Sequence, residues 1–230
     1  RVRYVDTGQD LSDDLICTNY GGISWKPDGD GFFYSSRVRY VNTINAFGDR
    51  QKVIQETEHV MIYYHKLGFI QEHDTLIWSA ADESRPVDRT NEYALRVTPD
   101  GNFLLVEGFR NMGAPYNRIF IIDISNFDSR TSITVGSRYN LVNTHVASFH
   151  YVANLGTEFW FRTNLHAPRY RLVKLVGTDN GVDTDSDQDD DSTRYSTNSS
   201  DRRSHSNRFN GCESVDTTNT ISDVNGSSKR

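Results

Sequence analysis

Short apolar runs punctuated by turn residues fill the first three quarters of the chain. VMIYYHKLG (60–68), NFLLVEGF (102–109), RIFIIDIS (118–125), TEFWFRT (157–163) and YRLVKLV (170–176) are rich in β-branched and aromatic side chains, as is DTLIWSA (74–80). Runs of this length and composition, bounded by Gly, Pro, Asn and Asp, predict β-strands. Sustained 3.6-residue periodicity is absent. IQETEHVMIYYH (54–65) comes nearest to it, but Ile62, Tyr63 and Tyr64 favour a strand there too. The polar stretch 37–59 reads as a long surface loop. Residues 1–176 are therefore predicted to be all-β.

A repeat organises these strands. ISWKPDGDGFFYSS (23–36) matches LRVTPDGNFLLVEG (95–108), with a looser copy at HYVANLGTEFWFRT (150–163). Each copy is an apolar strand, a turn containing Gly, and an aromatic-rich strand. Proline sets φ at the first corner, Asp accepts a local backbone hydrogen bond, and Gly takes the corner that needs positive φ. A third strand follows every copy, and a fourth follows the first two, at 74–80 and around 133–142. Four antiparallel strands recurring at such intervals are the arithmetic of a β-propeller blade. The expectation is a partial β-propeller, with two complete blades (about 21–80 and 91–142) between two partial ones. RVRYVDTGQDL (1–11) would supply the third strand and turn of the earlier partial blade, making the sequence a portion of something longer.

Composition changes at Gly177. From there to Arg230 only seven of fifty-four residues are apolar, against twenty-four Ser, Thr or Asn. Such a segment buries too little to offset its ordering entropy, so 177–230 is expected to be a disordered acidic tail. It holds eleven acids and six bases, a net of −5 out of the chain's −6. The remaining charges nearly cancel and form no basic stripe for nucleic acid. No run of 18 apolar residues suggests a membrane span. Cys17 and Cys212 fall on either side of the boundary. They are expected to remain separate thiols, as in a reducing cytoplasm.

The candidate chemistry thins out on inspection. Gly22-Ile23-Ser24-Trp25-Lys26 begins like a Gly-x-Ser-x-Gly nucleophile elbow but lacks the second glycine. A hairpin turn follows Ser24 where an elbow needs a helix. The seven histidines (59, 65, 73, 145, 150, 166, 205) show no metal-ligand spacing and read as structural or exposed. DTDSDQDDD (183–191) begins like a calcium loop, but Gln188 stands where the loop needs Gly, and Arg194 where it needs Glu. No catalytic residue, metal or cofactor is expected.

GISWKPDGDGFFY (22–34), IYYHKLG (62–68) and FRTNLHAPRYRLVKL (161–175) resemble, in this order, the propeller of the prolyl oligopeptidase family of serine peptidases. The resemblance covers about residues 1–176. It implies a seven-bladed propeller that caps an α/β-hydrolase domain and admits short peptides, which are cut after proline. The Ser, Asp and His of that chemistry lie in the hydrolase domain, and no residue here matches them. Two positions match propeller residues implied to line outer substrate subsites. Tyr20 would pack on a substrate acyl group, and Arg110 would meet a peptide carbonyl or carboxylate. The chain alone is then expected to be inactive, with short peptides as partners and neither nucleic acid nor membrane. The rival expectation is a non-catalytic propeller scaffold whose tail recruits partners.

Overall fold

The structure, a computed structural model, describes residues 1–18, 22–83, 92–111, 113–128 and 136–176. Eleven strands are formed by these residues: β1 (Ile23–Trp25), β2 (Gly31–Ile44), β3 (Arg50–Lys66), β4 (Thr75–Ser79), β5 (Glu92–Val97), β6 (Phe103–Phe109), β7 (Asn117–Asp123), β8 (Arg138–Val142), β9 (Phe149–Leu155), β10 (Glu158–Thr163) and β11 (Arg171–Val176). They make three antiparallel sheets in simple meander order, β1-β2-β3-β4, β5-β6-β7-β8 and β9-β10-β11. These are blades 1, 2 and 3.

The three copies of the repeat fall on the three inner hairpins, β1–β2, β5–β6 and β9–β10. Their turn glycines, Gly29, Gly101 and Gly156, have φ of 75°, 74° and 56°. In that left-handed region a Cβ costs roughly 1–2 kcal/mol, which is why the repeat keeps Gly there. The turns close in the same way in the first two blades, Gly29 N–H donating to Lys26 O at 2.9 Å and Gly101 N–H to Thr98 O at 2.8 Å.

Blade 2 carries apolar side chains on both faces. Along β6, Leu104 and Val106 join the core shared with blade 1, while Phe103 and Leu105 join the core shared with blade 3. Along β7, Phe120 and Ile122 point to the first core and Ile119 and Ile121 to the second. A strand buried on two sides has no polar face, so NFLLVEGF and RIFIIDIS read as continuous apolar runs. Blades 1 and 3 each leave one face open. Ile23 and Trp25 are half exposed on blade 1, and Val152, Leu155 and Leu172 on blade 3.

Polar side chains fasten the blades where the cores end. Val97 N–H donates to Ser24 Oγ at 2.7 Å, joining β5 to β1. Asn117 works like a spare peptide unit between blades 2 and 3. Its Nδ2 donates to Phe149 O at 2.8 Å, and its Oδ1 accepts from Phe149 N–H at 2.8 Å. Glu83, leaving blade 1, reaches Arg118 on β7 at 3.0 Å and Arg138 on β8 at 2.6 Å. The Arg138 guanidinium also lies 3.9 Å over the Phe120 ring. This ion triad is nearly enclosed, so removing one member would strand the others in a poor solvent.

The structure departs from the sequence reading in three places. Residues 37–59 are not a loop; they continue β2 and β3 into a long two-stranded arm. Its register runs from Val38 opposite Glu56 to Ile44 opposite Arg50, beyond a bulge at Ser36/Val38. Polar side chains on a ribbon outside the core hide its strand character, because backbone pairing holds it together. Before β1, a single bridge between Arg3 and Asp10 stands where a strand and turn of an earlier blade were expected. Cys17 carries a disulfide bond, not a separate thiol, and the other half of that bond lies outside the described residues, as does the tail expected from 177 onward.

Replacing Asn117 by Ala should cost about 2–4 kcal/mol, since it leaves two buried backbone groups of Phe149 unpaired. Urea unfolding followed by tryptophan fluorescence measures this. A loss below about 0.5 kcal/mol would mean that water substitutes for the amide.

Candidate functional site

The inner strands β1 and β5 run parallel, with Gly22 beside the Leu95 backbone and Ser24 beside Val97. Register pairs the start of β5, Glu92, with the end of β6, Phe109, and the start of β9, Phe149, with the end of β10, Thr163. The starts of the inner strands and the ends of their partners therefore share one rim. Arg110 follows Phe109 directly onto this rim and is exposed there, in a turn where Asn111 accepts from Gly113 N–H at 3.0 Å. A guanidinium so placed is available to an anionic or carbonyl group arriving at the rim. Tyr20 lies outside the described residues, although the chain on each side of it is fixed.

The chain before Tyr20 is held by a buried polar network toward the other end of blade 1, where register sets His65 opposite Phe32 and Phe32 opposite Trp25, the last residue of β1. His65, fully enclosed on β3, sits between two carboxylates. Its Nδ1 is 2.7 Å from Asp74 Oδ1 and its Nε2 is 3.0 Å from Asp13 Oδ1. Gly68 N–H donates to the same Asp13 oxygen at 2.6 Å, and Tyr34 O–H donates to Asp74 Oδ2 at 2.7 Å. Gln71 extends the network by taking Ile16 N–H on Oε1 at 2.9 Å and returning Nε2–H to Ile16 O at 3.0 Å. Ser36 Oγ donates to Cys17 O at 2.8 Å. Asp13, Ile16 and Cys17 are thus bolted to blade 1.

Both ring nitrogens of His65 face carboxylate oxygens, so the geometry fits an imidazolium donating twice. Burial by itself would lower the pKa of His65; the hydrogen bond and charge of Asp74, then of Asp13, outweigh it and raise the value above normal. Burial raises Asp74, and the hydrogen bonds from His65 and Tyr34 pull it only partly back. Burial likewise pushes the Tyr34 hydroxyl far above its usual range, with Asp74 adding to the effect, so Tyr34 remains a donor. The network looks like acid–base machinery but is sealed from any substrate. It is a clasp.

Ser24 and Ser148, among the described residues, are not set up as nucleophiles. Ser24 Oγ is occupied by Val97 N–H on an inner strand, in a hairpin and not at a strand-to-helix elbow. Ser148 Oγ lies 2.7 Å from His150 Nε2, but no carboxylate orients the His150 ring among the described residues. No group of three or more potential metal ligands occurs among them either. Among the described residues no helix is long and apolar enough to cross a membrane. The expectation of a structural histidine fits His65. Its partners were not foreseeable, because Asp13 lies 52 residues away in sequence.

The sign of the pH dependence follows. A His with a raised folded pKa stabilises fully below its unfolded value, near 6.5, and that stability is lost as pH rises through the folded value. Asp74, raised by burial, acts in the same direction at lower pH. Stability from this clasp should therefore fall as pH rises above about 6.5, read as a lower urea midpoint. His65→Gln, which cannot titrate, should flatten that slope. An unchanged slope in the variant would exclude His65 as its source.

The sequence model of the prolyl oligopeptidase N-terminal β-propeller domain matches residues 1–192. Prolyl oligopeptidase A of Galerina marginata is 28% identical over 166 residues, covering 72% of this chain and 21% of that protein. A prolyl endopeptidase of Elizabethkingia meningoseptica is 29% identical over 175 residues, 74% of this chain and 21% of that one. The fold is similar to that of the apo structure of prolyl oligopeptidase B from Galerina marginata, with a TM-score of 0.52 at 23% identity, over 74% of this chain and 21% of that one. The chain spans 21% of the length of these relatives. By its propeller repeat and this match, the chain belongs to the prolyl oligopeptidase family, as part of the family's N-terminal β-propeller domain.

Proposed function

We propose that this chain forms the lid side of a serine peptidase that cleaves short peptides after proline. The observation that carries this reading is the family match over residues 1–192, set beside blades that hold no nucleophile–base–acid constellation among the described residues. The chemistry would come from a hydrolase domain outside this sequence. The rim would face it, with Arg110 meeting a carbonyl or carboxylate of the peptide's outer residues and Tyr20 packing on its acyl end. The apolar open faces of blades 1 and 3 are consistent with further blades on either side.

On this reading, the purified 230-residue chain should not cleave a fluorogenic Gly-Pro reporter, and measurable turnover would overturn the division of labour. In a full-length enzyme carrying this segment, Arg110→Ala should raise KM for longer peptides about tenfold while leaving kcat within about twofold. That pattern marks loss of binding remote from the bond being cut. Unchanged kinetics would remove Arg110 from the subsite. A full-length protein lacking all peptidase activity would instead favour the scaffold reading.

A further inference from the structure

Blade 3 is basic and incomplete among the described residues. Residues 143–176 contain Arg162, Arg169, Arg171 and Lys174 against one acid, Glu158. Lys174 pairs with Glu158 at 2.9 Å, yet this pair is exposed and weak. Arg162, Arg169 and Arg171 are exposed, and none has an acidic partner among the described residues. The Arg162 guanidinium lies 4.7 Å over the Tyr170 ring, which holds it on the blade surface. Register places Arg162 beside Leu172 and Trp160 beside Lys174, so Arg162 and Lys174 share one face, two residues apart along the sheet. Blades 1 and 2 each finish with a fourth strand, β4 or β8. Blade 3 stops at β11, whose outer backbone edge is unpaired among the described residues.

The chain that follows has complementary features. Residues 177–191 contain seven aspartates and no base, and DTDSDQD (183–189) places Asp at every second position. In an extended strand that spacing puts four carboxylates on one face. Asn180-Gly181, just before it, is a strong hairpin-turn signal. The lengths agree. A two-residue turn at Asn180-Gly181 returns the chain antiparallel, and the nine residues 183–191 are long enough to run back past the six residues of β11. The family match also continues past Val176 to residue 192.

We propose that the acidic segment 183–191 docks in cis along the free edge of β11 as the outer strand of blade 3. Its alternate aspartates face the side that carries Arg162 and Lys174, with Arg169 at the rim. Aspartate is disfavoured in strands, so this docking depends on charge and is sensitive to salt. Blade 3 then includes the chain to about residue 191.

Hydrogen exchange read by mass spectrometry on the full 230-residue chain tests this. At about 50 mM salt, amides of 183–191 should exchange at least about tenfold more slowly than those of 192–230. The difference should vanish near 1 M salt, where charges more than about 3 Å apart are screened. It should also vanish in two variants, Arg162→Gln/Arg169→Gln/Lys174→Gln on the blade and Asp183→Asn/Asp185→Asn/Asp187→Asn on the segment. All substituted side chains on the blade are exposed, and an unchanged thermal midpoint confirms that the propeller is intact. Fast exchange of 183–191 at low salt overturns the docking. Protection that survives both variants and high salt overturns its ionic basis. Protection that grows with protein concentration places the segment on a second copy and overturns the cis arrangement.

Discussion

Everything in this chain depends on blade 2 being buried on both faces. Leu104, Val106, Phe120 and Ile122 on one side, and Phe103, Leu105, Ile119 and Ile121 on the other, leave its central strands no solvent-facing surface. At roughly 25 cal/mol per Å² of apolar surface buried, each such side chain contributes about 1.5–3 kcal/mol only if a neighbouring blade covers it. A blade of this kind has no stable existence alone. The repeat in the sequence is thus a statement of mutual dependence, in which each sheet supplies half of the core of the next.

Apolar contact is not directional, so the blades need something else to fix their angle and height. That role falls to a few polar groups with definite geometry. Ser24 on Val97, Asn117 on Phe149 and Glu83 between Arg118 and Arg138 each join one blade to the next at a single level. The interface between blades 1 and 2 takes two of these and the interface between blades 2 and 3 takes Asn117. Because the partners are buried, any slip would leave hydrogen-bonding groups unpaired at a cost of about 1–3 kcal/mol each. Registration of the rim, and with it the position of Arg110, follows from these groups.

The fold was legible where local chemistry decides it. Gly29, Gly101 and Gly156 sit in left-handed turns, and a turn is written within four residues. Continuous apolar runs flagged the doubly buried strands. The arm formed by the outer parts of β2 and β3 was illegible because its pairing is carried by the backbone, with Arg39 opposite Gln55 and Asn42 opposite Lys52 presenting polar side chains that also suit a loop. The clasp was illegible for a different reason. Asp13, Tyr34, His65, Gln71 and Asp74 come from four separate parts of the chain, and no spacing rule connects them. Arg110 was suggested by resemblance alone and is exposed on the rim, and nothing in its immediate sequence distinguishes it from a solvated loop arginine.

On the proposed reading, this segment would hold contact residues for chemistry carried out in another domain. Holding such residues at fixed heights would demand rigid anchoring of the blades. Blade 1 meets this demand by burying two carboxylates around one imidazole, an arrangement that costs desolvation and is favourable only while the imidazole is charged. A hydrophobic anchor at the same place would hold the segment through contact area alone. Five directional hydrogen bonds, from His65 to both carboxylates, from Gly68 and from the Gln71 pair, fix Asp13 and Ile16 to a single position. The ion cluster therefore trades some stability for exact placement of Asp13 and Ile16 on blade 1.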